Sequence, residues 1–177
     1  QAASDGGSDA FVSRFDASLS TRLQSTYLGG SGDDSAQALA IHPASGEVIV
    51  AGYTDSTNFP GTSGGAQAAS GGTTDAFVSR LNANLTARLQ STYLGGSGLD
   101  YATVLAIHPA SGEVIVADGT SSTNFPGTSG GAQAAHGVGD IYDGFISRFN
   151  ASLTARLQST YIGGGSGYDF AYGLAIH

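Results

Sequence analysis

Three aspartates, Asp34, Asp100 and Asp169, each follow a Gly-Ser-Gly run with one residue between. Carboxylate oxygens are hard donors, suited to Ca²⁺ or to the hydroxyls of a polar ligand. Gathered on one face, the three would form an acidic ring; taken singly, each would close an Asx turn by accepting nearby backbone N–H groups. The turn is the simpler reading, because a calcium loop needs several oxygen ligands at close spacing and only Asp33-Asp34 sets two acids side by side. A second candidate group is His136 with Asp140, beside Asp143, in a loop longer than its counterpart elsewhere in the chain. A break in a regular pattern is a place where a site can be grafted, although drift in an exposed loop is the plainer explanation.

Other chemistries find less support. His42, His108 and His177 share one repeat position and so fall on different units, which suits a role in a turn better than a shared metal. Arg14, Arg80 and Arg148 recur together with Asp9, Asp75 and Asp143, a pattern that predicts a repeated Arg–carboxylate contact within or between units, helping to register neighbouring sheets. Tyr53, Tyr101 and Tyr168 are of the type that binds glycans, but they occupy no common repeat position. Serine is everywhere, so no nucleophile stands out, and the glycines precede no helix and no lysine that could cradle a phosphate. The residues name no enzyme and no cofactor beyond the calcium reading.

Composition narrows the partners. The six basic residues are all arginine against fourteen acids, a formal net charge of −8, so there is no basic stripe for nucleic acid. Attraction to anionic lipid is disfavoured for the same reason, and no apolar run approaches the ~20 residues of a membrane-spanning helix. The first residues carry no signal-peptide pattern, which leaves room for a processed precursor. Cysteine is absent, excluding disulfides and thiolate-bound zinc. With 40% apolar and 11% charged residues, the chain has the makings of a packed core.

The candidate residues are carried by repeats. Asp9-Ala10-Phe11-Val12-Ser13-Arg14-Phe15 returns with Phe77 and then Phe145 in place of Phe11, 66 and then 68 residues later. Arg22 to Gly30 recurs from Arg88 and Arg156, and Leu39 to Ala51 recurs from Leu105 and begins again at Leu174. Phe11, Ser13 and Phe15 alternate with Val12 and Arg14, the two-residue period of a strand. Val48-Ile49-Val50 reads as a strand covered on both faces, and His42 to Glu47, with proline and glycine, as a hairpin turn. One period therefore holds strands a over 38–42, b over 47–53, c over 76–81 and d over 89–95. Between b and c runs a long Gly/Ser/Thr-rich connection whose Asn58-Phe59-Pro60-Gly61, repeated at Asn124, predicts local order with phenylalanine pinning the loop.

No helical pattern occurs, and a four-stranded antiparallel sheet that is apolar on both faces must lie between copies of itself. The expected fold class is all-β: tandem four-stranded antiparallel blades in a β-propeller-like array. Asp75-Ala76-Phe77-Val78, Ser91 to Gly98, Gly46 to Thr54 and Asn58-Phe59-Pro60 resemble the bacterial SBBP repeats, named for a supposed β-propeller. The resemblance covers essentially the whole chain. It implies a large secreted or surface-attached bacterial protein and carries over no active site; the longer unit, His42-Pro43 and Asp118-Gly119 depart from it. The chain then divides into a partial blade over 1–35 (c and d), complete blades over 36–101 and 102–170, and the first strand of a further blade over 171–177. It reads as a segment of a longer repeat protein. The expected function is a non-catalytic scaffold, extracellular or at the cell surface, within a filament or adhesin. Its partners would be further repeats of the same chain or identical subunits. The alternatives are a glycan- or calcium-binding module, with a possible protein ligand, and a hydrolase or lyase whose catalytic residues lie elsewhere.

Overall fold

Alternating apolar and polar residues, punctuated by glycine turns, produce ten strands and no helix among the described residues, Gln1 to Ile176 of this computed structural model. The strands are β1 (Ala10–Phe15), β2 (Arg22–Leu28), β3 (Asp34–Ile41), β4 (Val48–Thr54), β5 (Asp75–Leu81), β6 (Arg88–Leu94), β7 (Val104–Ile107), β8 (Val114–Thr120), β9 (Asp143–Phe149) and β10 (Arg156–Ile162). They form a two-stranded sheet, β1-β2, and two four-stranded sheets, β3-β4-β5-β6 and β7-β8-β9-β10, antiparallel throughout and with sequence neighbours paired. The expected four strands per period are present. The sheets stack in a row and do not close into a ring.

Strand a begins earlier than its apolar residues suggest. Asp34 to Gln37 read as turn in the sequence, yet they pair with β4 through a bulge between Ala36 and Ala38. The bulge brings the Ser35 carbonyl so close to Gly52 that a Cβ there would collide with it, so glycine is required at that position. In the next sheet Asp118 holds this place and β7 is shortened, with the bulge absent from its pairing. The expected final strand is not formed: Ala171 to Ile176 carry no strand, since no b strand is present to pair with them. His177 lies outside the described residues.

The turns follow their residues. Each a-to-b hairpin has glycine at positive φ, Gly46 at 70° and Gly112 at 71°, and a histidine Nδ1 that accepts backbone N–H groups, Ala44 and Ser45 for His42 and Ser111 for His108. The c-to-d turns put leucine where glycine is usual: Leu19, Leu85 and Leu153 have φ of 57°, 59° and 61°. Asp16, Asn82 and Asn150 hold these turns by accepting two backbone N–H groups each.

The long b-to-c connections are ordered, as expected. Phe59 stacks on Phe77 at 4.5 Å, and its N–H donates to the Tyr93 hydroxyl, which donates in turn to the Ser56 carbonyl at 2.7 Å. Phe125, Phe145, Tyr161 and Ser122 repeat the arrangement. Carbonyls of the same loops, Gly61 and Gln67 and then Gly127 and Gln133, accept N–H groups along the outer edge of strand d, covering donors that would otherwise invite foreign strands.

Stacking is directional. Val48, Val50, Phe77, Leu81, Leu85 and Tyr93 form one face of the middle sheet and pack with Ala10, Val12 and Leu28 of the sheet before it. Its other face, Ile49, Ala51, Ala76, Val78 and Leu94, packs with Val114, Val116, Phe145, Phe149, Leu153 and Tyr161 of the sheet after it. The two joints use equivalent residues. β3 and β7 lie against each other between the four-stranded sheets, and Phe125 and Leu153 belong to the core that fills this joint. The expected Arg–carboxylate contact forms within a sheet, with a glutamate as partner and not the recurring aspartate. Arg80 makes two hydrogen bonds to Glu47, at 2.7 and 2.9 Å, and Arg148 lies 3.5 Å from Glu113; the b-c register pairs Arg80 with Ile49 and Arg148 with Ile115, which leaves each glutamate on the diagonal, two residues along.

Candidate functional site

The sequence-predicted aspartates do not converge. Asp34 accepts the Gly30 N–H and the Ser56 hydroxyl, both at 2.8 Å. Asp100 accepts from Gly96 N–H, from Ser122 and, through a very short hydrogen bond, from Thr120. Each thus clamps its own d-to-a turn onto the following b strand, the turn-ordering role. Among the described residues Asp169 accepts only the Gly164 N–H, at 3.2 Å.

A different pairing recurs instead. The aspartate that opens strand c faces the one in the d-to-a turn across a glycine. A Cβ on Gly29 would meet Asp9 and Asp34, one on Gly95 would meet Asp75 and Asp100, and one on Gly163 would meet Asp143 and Asp169. Facing carboxylates disfavour ionisation, and so does burial. Burial, opposed by hydrogen bonds and aided by the Asp75 charge, pushes Asp100 up to about 6, and burial also raises Asp75 and Asp34.

The third unit departs from this plan. In the second, Asp75 rests both oxygens on glycine amides, Gly71 and Gly72. The loop before Asp143 is two residues longer, and there Gly137 N–H and Gln133 reach only Oδ2. Asp140 enters where the second amide would be, and the carboxylate oxygens of Asp140, Asp143 and Asp169 lie within 4.8 Å of one another. Asp143 is fully buried with Oδ1 unpartnered, and neither oxygen of Asp140 has a hydrogen-bond partner or solvent contact. Burial, then the close carboxyl contact with Asp143, and then the Asp143 and Asp169 charges raise the Asp140 pKa. His136 stands aside: its Nδ1 is 3.0 Å from the Gly137 carbonyl and its ring packs edge-on against Tyr161. Sequence reading named Asp140, Asp169 and His136 but assigned Asp143 to an arginine. What it missed is the bridge between Tyr142 and Tyr168, with Asp169 N–H donating to the Tyr142 carbonyl, which draws the two loops together.

That bridge also builds an aromatic row. Tyr53 and Tyr101 meet edge to face at 5.2 Å, Tyr101 and Tyr142 are 6.2 Å apart, and Tyr142 stacks on Tyr168 at 5.9 Å and on Phe170 at 5.5 Å. Tyr172 extends the row from Phe170. Burial, with Tyr142 next to it, pushes the Tyr101 hydroxyl up to about 12. The tyrosines that share no repeat position are thus joined in space through Tyr142 and Phe170. Gly119 allows this, since any Cβ there would strike the Phe170 ring. Comparison of the chain with protein-family models and with curated proteins gives no match.

Proposed function

We propose that this protein is a non-catalytic structural repeat scaffold of propeller-like blades, of the SBBP-repeat kind, working outside the cell or at its surface within a filament or adhesin. The observation that carries the reading is the repeated joint. Each sheet presents an aromatic face that receives the small aliphatic face of the sheet before it, and both joints use the same positions. The face-to-face stacking of four-stranded antiparallel sheets, in contact through β3 and β7, supports a blade-like reading. Near-identical units suit stacking and length, whereas catalysis needs an asymmetric cluster.

Both ends of the stack carry unmatched halves of this joint. Phe11 is 65% exposed and Leu19 76%, against 0% and 3% for their equivalents Phe77 and Leu85; at the other end Ile162 lies open. Their partners in this reading are further repeats, of the same chain or of identical subunits. Light scattering on residues 1–177 over a range of concentrations tests it: association or a discrete oligomer is expected, and a cooperatively folded monomer throughout would refute it.

A second reading, a glycan-binding module, is favoured by the aromatic row, because sugar rings stack on tyrosine faces beside polar groups. Under that reading Tyr142→Ala weakens retention on immobilised polysaccharide, and unchanged retention would sink it.

A further inference from the structure

We propose that Asp140, Asp143 and Asp169 form a site for a single hard divalent cation of the Ca²⁺ class, present in the third unit and lacking in the second. The acids alone would not carry this. The independent observation is the buried Asp143, whose Oδ1 has no donor and points between Asp140 and Asp169. Leaving a buried carboxylate oxygen unsatisfied is costly, and native structures avoid it unless a proton, ion or water completes the site.

The second unit supplies the control within the molecule. At the position equivalent to Asp143, Asp75 receives an amide on each oxygen, so it has no vacancy for a cation and no third acid beside it. The two-residue insertion removes one amide from Asp143 and substitutes a carboxylate, changing a site that satisfies negative charge into one that accumulates it. Negative charges this close repel one another, and a cation held between them would offset that repulsion. The cluster is all oxygen, with no His136 nitrogen among its atoms, which matches Ca²⁺ better than zinc or copper. Solvent reaches Asp169 through a pocket shared with Gly144, Ile162 and Phe170, giving room for the waters that complete calcium coordination.

Terbium, a calcium stand-in excited through nearby tyrosine, is the direct probe because Tyr142 and Tyr168 adjoin the acids in sequence. The experiment titrates residues 1–177 with Tb³⁺ and competes the emission with Ca²⁺. One saturable site is expected, with calcium displacing terbium at a dissociation constant of about 10⁻⁴ to 10⁻³ M, as in other extracellular modules. Asp140→Asn should weaken binding by at least about tenfold, since one of three ligand charges is lost. Asp16→Asn, which installs the residue found at the equivalent positions 82 and 150, should leave it unchanged. A second variant replaces residues 136–142 with the second unit's Ser-Gly-Gly-Thr-Thr; it should fold and lose the site. Absence of saturable emission, or equal binding by the Asp140 and Asp16 variants, would overturn the proposal. Neither result bears on the scaffold reading, whose test is association.

Discussion

Leucine in the left-handed region is unfavourable by about 1 to 2 kcal/mol relative to ordinary backbone. The chain nonetheless repeats it three times. Leu85 and Leu153 explain why, since both are buried in the joints between sheets, and the Leu153 carbonyl accepts the Ala66 N–H from the loop of the preceding unit. Leu153→Ala should therefore lower stability by about 2 to 5 kcal/mol in urea unfolding. Leu19 has the same strain and is exposed, so Leu19→Gly should leave the isolated chain equally stable or more stable by up to about 1 kcal/mol. Asp100 gives a pH signature. Its folded pKa lies near 6, above the unfolded 3.8, so the folded state binds the proton more readily and stability falls as pH rises from about 4 to about 6. Melting at pH 5 should exceed that at pH 7, and Asp100→Asn should flatten the profile, by up to about 3 kcal/mol.

The strands were legible because their period-two patterns repeat nearly verbatim, and the hairpin turns because Gly46 and His42 stand where the geometry needs them. The early start of β3 was hidden, because Asp-Ser-Ala-Gln has a turn's composition and its pairing depends on Gly52 in another strand. The acidic cluster was hidden for a related reason: Asp143 and Asp169 are brought together by a two-residue bridge that no local pattern announces. The b-to-c loop was legible in its phenylalanine but not in its hinge, the Tyr93 hydroxyl that both accepts from Phe59 and donates to Ser56. Tyr93→Phe keeps the ring packing and removes both bonds, so a loss of about 1 to 3 kcal/mol is expected. Faster hydrogen exchange should be confined to residues 54–74; protection unchanged there would show that the ring alone holds the loop.

Across the molecule the joint between sheets has a direction, aromatic face onto aliphatic face, and an interface of this heterologous kind extends without limit unless it closes on itself. Phe11→Glu should reduce association in light scattering, because it places a charge where the joint needs a buried ring. Every unit also carries both halves of that joint. Gene slippage that adds or drops one period therefore needs no compensating change in the neighbours, since the surfaces thrown together already fit. Deleting Asp34 to Leu99 sets Asp33 before Asp100 and seats the β1-β2 sheet on the aromatic face of β8, β9 and β10. The shortened chain should still melt in one cooperative transition. Length is then an inheritable variable, adjustable in steps of one unit, while the near-verbatim copies are both the product of that adjustment and the template for the next.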